Sequence, residues 1–222
     1  MPAMSKFQLQ IYHDHFTEEA QAKLPAERRI IYCVAGSAEI SDLGKAETIG
    51  SDGAWFSAQT ATVRGKGEGA RLWRWELVMP NAPSGAIEGD GISSRLAGDF
   101  AIEIDTALKR LMRLDRVSFP LGGEALTHTH AAPGVRCQLE GNLLLETVGR
   151  RYRVWPGDPW VEHGPDTVYA KASEHQLSSF VRVMIVPEPY KGRSTITYVK
   201  ADDLEKPKSQ SYKRYLEEPI SL

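Results

Sequence analysis

The feature that most constrains this chain is a repeat. Shifting the sequence by 105 residues puts Gly36 on Gly141, Gly44 on Gly149 and Trp55 on Trp160. The same shift puts Thr62 and Val63 on Thr167 and Val168, Lys66 on Lys171, Leu72 on Leu177, and Val78 and Met79 on Val183 and Met184. These are nine identities in the fifty gapless positions 30–79, where average composition would give roughly three. They fall where turns and buried residues are expected. A period this long implies two domain-sized units rather than a solenoid. Within each unit, short apolar runs recur between Gly, Asp and Ser: Ile30–Val34, Ala38–Ile40, Ala54–Phe56 and Arg71–Val78 in the first. Even spacing of short strands predicts a sandwich or barrel.

The rest of the chain is arranged around these units. Phe7, Leu9 and Ile11 alternate with polar residues, the pattern of a half-buried strand. Thr17 to Lys23 reads as about two helical turns with Thr17 as N-cap. Met79 to Gly91 is rich in Pro and Gly and reads as the linker. Asp99 to Asp105 alternates like a strand, and 107–113 reads as a short helix or strand. The divisions expected are 1–90 for the first barrel, 91–190 for the second, and 191–222 for a polar arm lying on a barrel or on a partner subunit.

Composition excludes several function classes. The 27 basic and 29 acidic residues give a net charge of −2, whereas a nucleic-acid footprint needs a basic domain. No apolar run reaches the length of a membrane span, and the N-terminus lacks the apolar core of a signal peptide. Cys33 and Cys137 form no CxxC pair, so a disulfide scaffold is not expected and a cytoplasmic setting is.

Chemistry concentrates in Gly122 to Gly141. His128 and His130 are two apart on a strand-like run, so both imidazoles face the same way. Paired imidazoles on one sheet face are a natural half-site for a divalent metal. His13 and His15 have the same spacing but lack the strand-and-glycine context, and read as a surface or turn pair.

Gly122-x5-His128-Thr-His130, followed by Leu139-Glu-Gly141, resembles the first cupin motif, and Gly157 to Val168 resembles the second in degenerate form. The chain is thus similar to a bicupin, which implies an all-β fold of two tandem jelly-roll barrels. The resemblance implies a site of three histidines and one glutamate. His128 and His130 match the first two, but Gly134 stands at the Glu position and Val168 at the third-His position. Gln138, in phase with Gly134 on its strand, and Glu162, on the second motif, are the replacement ligands. His128, His130 and Glu162 would form a two-His-one-carboxylate set with open positions, as in non-haem iron sites. In the first repeat Lys23 and Pro25 fall on the two histidines, so that barrel is expected to be structural: to pack on its partner or hold a homodimer.

The resemblance implies one iron, manganese, zinc or nickel ion per chain and dioxygenase-like action on a small, anionic organic molecule. The alternative is a non-catalytic ligand-binding or sensory barrel. Trp55, Trp160 and Cys137 read as packing residues, and His175 as an exposed loop residue.

Overall fold

The computed structural model describes residues 4–222. Strands account for nearly all regular structure; among the described residues there is no α-helix, only two single 3-10 turns. Among the described residues no helix is long and apolar enough to cross a membrane. The chain divides into two compact units, Lys6–Ala101 and Ile102–Leu222, the latter joined by the described residues Met4 and Ser5. The first unit extends past Gly91 because the strand that follows pairs back onto the first strand.

The first unit contains β1 (Met4–Phe16) from Lys6 onward, β2 (Gln21–Leu24), β3 (Arg28–Asp42), β4 (Lys45–Gly50), β5 (Ala54–Ser57), β6 (Ala61–Val78) and the start of β7 (Ile92–Asp105). They form one sheet in the order β4-β3-β6-β1-β7, with β2 on β6 and β5 on β3. Residues 17–23 are not helical. Glu19 adopts φ 60, and its N–H donates to Gly65 O at 2.9 Å. The next residues pair with β6 as β2. Tertiary pairing overrides a weak helical preference here. Phe16, Leu24, Ile31, Leu72 and Trp55 fill the interior.

The second unit contains β8 (Arg110–Phe119), β9 (Glu124–His130), β10 (Gly134–Glu140), β11 (Leu143–Thr147), β12 (Arg150–Val154), β13 (Pro159–Glu162), β14 (Val168–Ala172), β15 (Ser178–Pro187), β16 (Ile196–Tyr198) and β17 (Ser211–Ile220). Two five-stranded sheets result, β13-β10-β15-β8-β17 and β12-β11-β14-β9-β16. Residues 107–109 are turn or coil, and strand begins at Arg110. The arm lies on its own barrel: β16 pairs with β9 and β17 with β8.

The backbone carries the duplication. β3 and β4 meet at Leu43-Gly44, and β11 and β12 at Val148-Gly149. All four residues have positive φ (43, 78, 47 and 71), the geometry of a two-residue type I′ hairpin. Ile31 pairs with Trp55 and Arg136 with Trp160, the same register 105 residues apart. The gapless shift slips by one residue at the histidine strand. Val63 pairs with Ala22, whereas Val168 pairs with His128. The counterparts of His128 and His130 are therefore Ala22 and Leu24, which pack on the apolar core, rather than the exposed Lys23 and Pro25.

Candidate functional site

Inside the second barrel an apolar floor of Phe119, Leu145, Trp160 and Phe180 lies under a polar layer. The layer follows from alternation. On β10, Gly134, Arg136 and Gln138 share a face, and one rung across the sheet reads Arg214, Asp115, Arg182, Arg136, Trp160. The neighbouring rung reads Glu217, Arg113, Met184, Gly134, Glu162. Glu162 thus sits directly across from the Gly134 position, and the carboxylate arrives from the next strand. Gly134 has no room for a side chain, because a Cβ there would lie 2.6 Å from Val183 O and 2.7 Å from Met184 Cγ.

His128 and His130 are both buried on β9 and meet edge-to-face with ring centroids 4.8 Å apart. Their Nε2 atoms are 3.2 Å apart. The opposite nitrogens are tied back. His128 Nδ1 donates to Leu126 O at 2.7 Å, and His130 Nδ1 lies 3.2 Å from Thr195 Oγ1. This fixes the ring orientations and leaves His128 Nε2 a lone pair, the arrangement that supports a metal-ligating histidine. Glu162 Oε2 lies 3.2 Å from His130 Nε2 and 2.7 Å from Arg136 Nη2. Glu162 Oε1 accepts from Trp160 Nε1 at 3.0 Å.

Burial pushes both imidazoles down, His130 to about 3, so both are neutral near pH 7. Burial alone would raise the Glu162 carboxyl, but the Arg136 guanidinium beside it holds it far below the usual range. Burial lowers Arg136 to about 10, with Glu162 opposing.

The structure thus brings His128, His130 and Glu162 together, but not Gln138. The Gln138 amide turns away and donates to Glu140 O at 2.7 Å, beside the irregularity between Gln138 and Glu140, and it does not line the cavity. Val168 does line it, opposite His128, so an apolar group occupies the third-histidine place. Among the described residues no three His, Cys, Asp or Glu side chains are closed around one point as metal ligands. His128 Nε2, His130 Nε2 and Glu162 Oε2 are neighbours, with the carboxylate also paired with Arg136, and no preformed three-ligand centre is present among the described residues. These donors do not fit a four-ligand centre.

Side chains that the sequence reading did not assign to the site complete it. Arg182 pairs with Asp115 at 3.2 Å, Trp160 orients Glu162 as well as packing, and the arm contributes Gln210 and Tyr212 to the lining. The one advance signal is Arg182, a charge inside the apolar run Phe180 to Val186. The inner cavity has a free volume of about 20 Å³. A larger cavity of about 440 Å³ shares Arg182, Ile196 and Tyr212 with it and is otherwise lined largely by the arm and Arg113, Arg193 and Arg214. Elsewhere, His163 and His175 are exposed, and Cys33 and Cys137 are buried thiols that take part in no disulfide among the described residues.

Two jelly-roll units in one chain, the second with a histidine pair among the charged side chains of its interior, define the tandem cupin fold. No protein-family model matches the chain, and no curated protein matches it in sequence. Solved structures do match. Oxalate decarboxylase from Bacillus subtilis has a TM-score of 0.61 at 10% identity, over 90% of this chain and 72% of that one. AerE from Microcystis aeruginosa has 0.60 at 12%, over 83% and 98%. The 11S allergen from Cocos nucifera has 0.56 at 8%, over 93% and 85%. At these identities the likeness is one of fold.

Proposed function

We propose that the second barrel holds a divalent metal through His128, His130 and Glu162 and binds a small organic anion beside it. The observation that carries this reading is the convergence of His128 Nε2, His130 Nε2 and Glu162 Oε2, at 3.2 Å from one to the next. Both imidazoles are neutral, and their remaining nitrogens are anchored. When bound, iron, manganese, zinc or nickel would supply Lewis-acid polarisation of a ligand oxygen, and the open positions left by two imidazoles and one carboxylate suit dioxygenase-like chemistry. Arg136 keeps Glu162 ionised, and Trp160 fixes the direction of its carboxylate. The fold does not choose the reaction, since it is shared with a decarboxylase and a protein described as an 11S allergen.

One contact favours a second reading, a metal-free ligand-binding barrel. Arg136 Nη2, at 2.7 Å, already supplies Glu162 with a positive charge. Elemental analysis of the wild type beside His128→Ala/His130→Ala distinguishes the two. The first reading expects metal in the wild type and its loss from a folded double variant. It also expects Glu162→Gln to weaken metal retention and Gln138→Ala to leave it unchanged, because an amide does not offset the charge of the ion. Equal metal in wild type and double variant rejects the centre.

A further inference from the structure

The outer of the two adjoining cavities carries a charge that the protein itself does not balance. Arg113, Arg182, Arg193, Lys208 and Arg214 line it, with Asp115 as the one acidic residue. Asp115 is shared by Arg182 and Arg214, and Glu217, behind the lining, pairs with Arg113 and Arg214. Two carboxylates thus serve three guanidinium groups. Arg193 and Lys208 are left over, with no carboxylate partner among the described residues. The Asp203 carboxylate pairs with Lys206 at 2.6 Å, and Lys208 meets the Asp203 carbonyl and stands over the Tyr198 ring at 4.0 Å.

The arm builds this chamber. Arg193 precedes β16, which pairs with β9, and Lys208 precedes β17, which pairs with β8 in the other sheet. Thr195 lines the chamber and sits 3.2 Å from His130 Nδ1, so the chamber adjoins the histidine pair. The inner cavity is no place for an anionic group. Its free volume is about 20 Å³, room for about one water, and the Glu162 carboxylate is in its wall. Tyr212 borders both cavities, with its hydroxyl bonded to Gln210. At about 440 Å³ the outer chamber is of small-ligand size.

We infer that the outer chamber takes a phosphate monoester, with its phosphoryl group held by Arg193 and Lys208 and its organic part against Ile196, Tyr198 and Leu204. Charge sets the class. Two cations left over call for a dianion, and a phosphate monoester is one above its second pKa of about 6. A sulfate ester or a single carboxylate balances one cation and leaves the other. A dicarboxylate has two charges but spreads them over separate carbons, whereas the other guanidinium groups of the chamber are already matched. A phosphoryl group gathers both charges on the oxygens of one centre, where the planar N–H fork of Arg193 and the ammonium of Lys208 can meet them together. This rests on the small-anion reading of the barrel and is independent of the metal.

The test is calorimetric titration of the full chain with three probes at neutral to slightly alkaline pH: phenyl phosphate, phenyl sulfate (the same shape with one charge fewer) and phthalate (two carboxylates on the same ring). Phenyl phosphate is expected to bind about tenfold or more tightly than either, the scale of one hydrogen bond to a charged group. Arg193→Gln/Lys208→Gln, at two exposed positions, should remove that preference. Arg150→Gln/Arg151→Gln, which deletes two exposed cations outside the chamber, should keep it, and so should His128→Ala/His130→Ala. Circular dichroism checks that each variant is folded. Phenyl phosphate bound no more tightly than phenyl sulfate, a folded Arg193→Gln/Lys208→Gln that keeps the preference, or an equal loss in Arg150→Gln/Arg151→Gln overturns the inference. Loss in the histidine variant also overturns it, by placing the phosphate on a metal. Tighter binding of phthalate that depends on Arg193 and Lys208 overturns the phosphate assignment and leaves the small-anion reading standing. No binding of any probe sinks both.

Discussion

The Arg136–Glu162 pair makes the sharpest energetic claim in the second barrel. Arg136 is 0% exposed and Glu162 8%, with 2.7 Å between Nη2 and Oε2. Removing one partner of such a pair leaves a charge buried without compensation, at a cost of about 3–5 kcal/mol. Arg136 would keep its bond from Nη1 to Gly134 O at 2.6 Å, but no carboxylate would remain beside it on β13. Glu162→Leu should therefore lower the melting temperature by roughly 6–20 °C, taking about 2–4 °C per kcal/mol for a chain of this size. Arg136→Met/Glu162→Leu removes both charges and should recover most of that loss, since buried pairs replaced by apolar residues are often neutral. Calorimetry with and without chelator, in a double-mutant cycle, measures the coupling. A Glu162→Leu variant within about 1 kcal/mol of wild type, or a double variant no better than the sum of the singles, would refute the argument.

Two further predictions use other parts of the chain. Gly134→Ala should cost roughly 1–3 kcal/mol, because its Cβ would meet Val183 O at 2.6 Å; Gly134→Glu, which puts a carboxylate where the motif it resembles has one, should lower rather than raise metal content, and a folded Gly134→Glu with more metal would contradict this. His13 stacks on Trp73 at 5.5 Å, and burial, with Arg95 beside it, lowers it to about 4. Its folded value lies below its unfolded one, so stability should fall as pH drops from about 6.5 toward 4, by about 1–2 kcal/mol after allowing for screening. His13→Phe should flatten urea midpoints measured across that window, and an unchanged slope would exclude His13 as the cause.

What was legible in the sequence was the part governed by local rules. Gly44 and Gly149 mark hairpins because a type I′ turn needs positive φ, and the spacing of His128 and His130 placed both on one strand face. The Gly134 and Val168 departures also survive: one has no room for a side chain, and the other is an apolar lining residue. What was hidden depends on register between distant strands. Arg136 has the inward phase of Gly134 and Gln138, but its partner became visible only through the pairing of Gly134 with Glu162. Gln138 has that same phase and fails as a ligand because its amide finds a nearer backbone carbonyl. The one-residue slip at β2 was concealed by a gapless comparison, and Gln210 lies in an arm with no periodic signal.

The two barrels share a plan, a charged layer over an apolar floor, and differ in how it is closed. In the first, Arg74 binds Asp14 and Glu76 at 2.7 Å each, Arg29 binds Glu76 at 2.9 Å, and Ser94 caps Asp14 at 2.6 Å. The linker then closes the layer. Gly85 O accepts from Arg74 Nη2 at 2.8 Å, and Gly85 N–H donates to Tyr12 Oη at 2.8 Å. Here the His128 and His130 places hold Ala22 and Leu24, so no lone pair faces an open space. A Cβ on Gly85 would stand 2.7 Å from Glu76 Oε2 and 3.4 Å from Arg74 Nη1, on two side chains that the ion network already holds through Glu76 Oε1. Gly85→Val should therefore displace the linker and forfeit both backbone bonds, at roughly 2–3 kcal/mol. Ser84→Ala, on the exposed side of the same segment, should cost less than about 0.5 kcal/mol. Chemical denaturation measures both, and amide exchange at Gly85 reports the closure directly. A Gly85→Val protein as stable as wild type, with its linker amides still protected, would show that the first barrel is closed by its ion network alone.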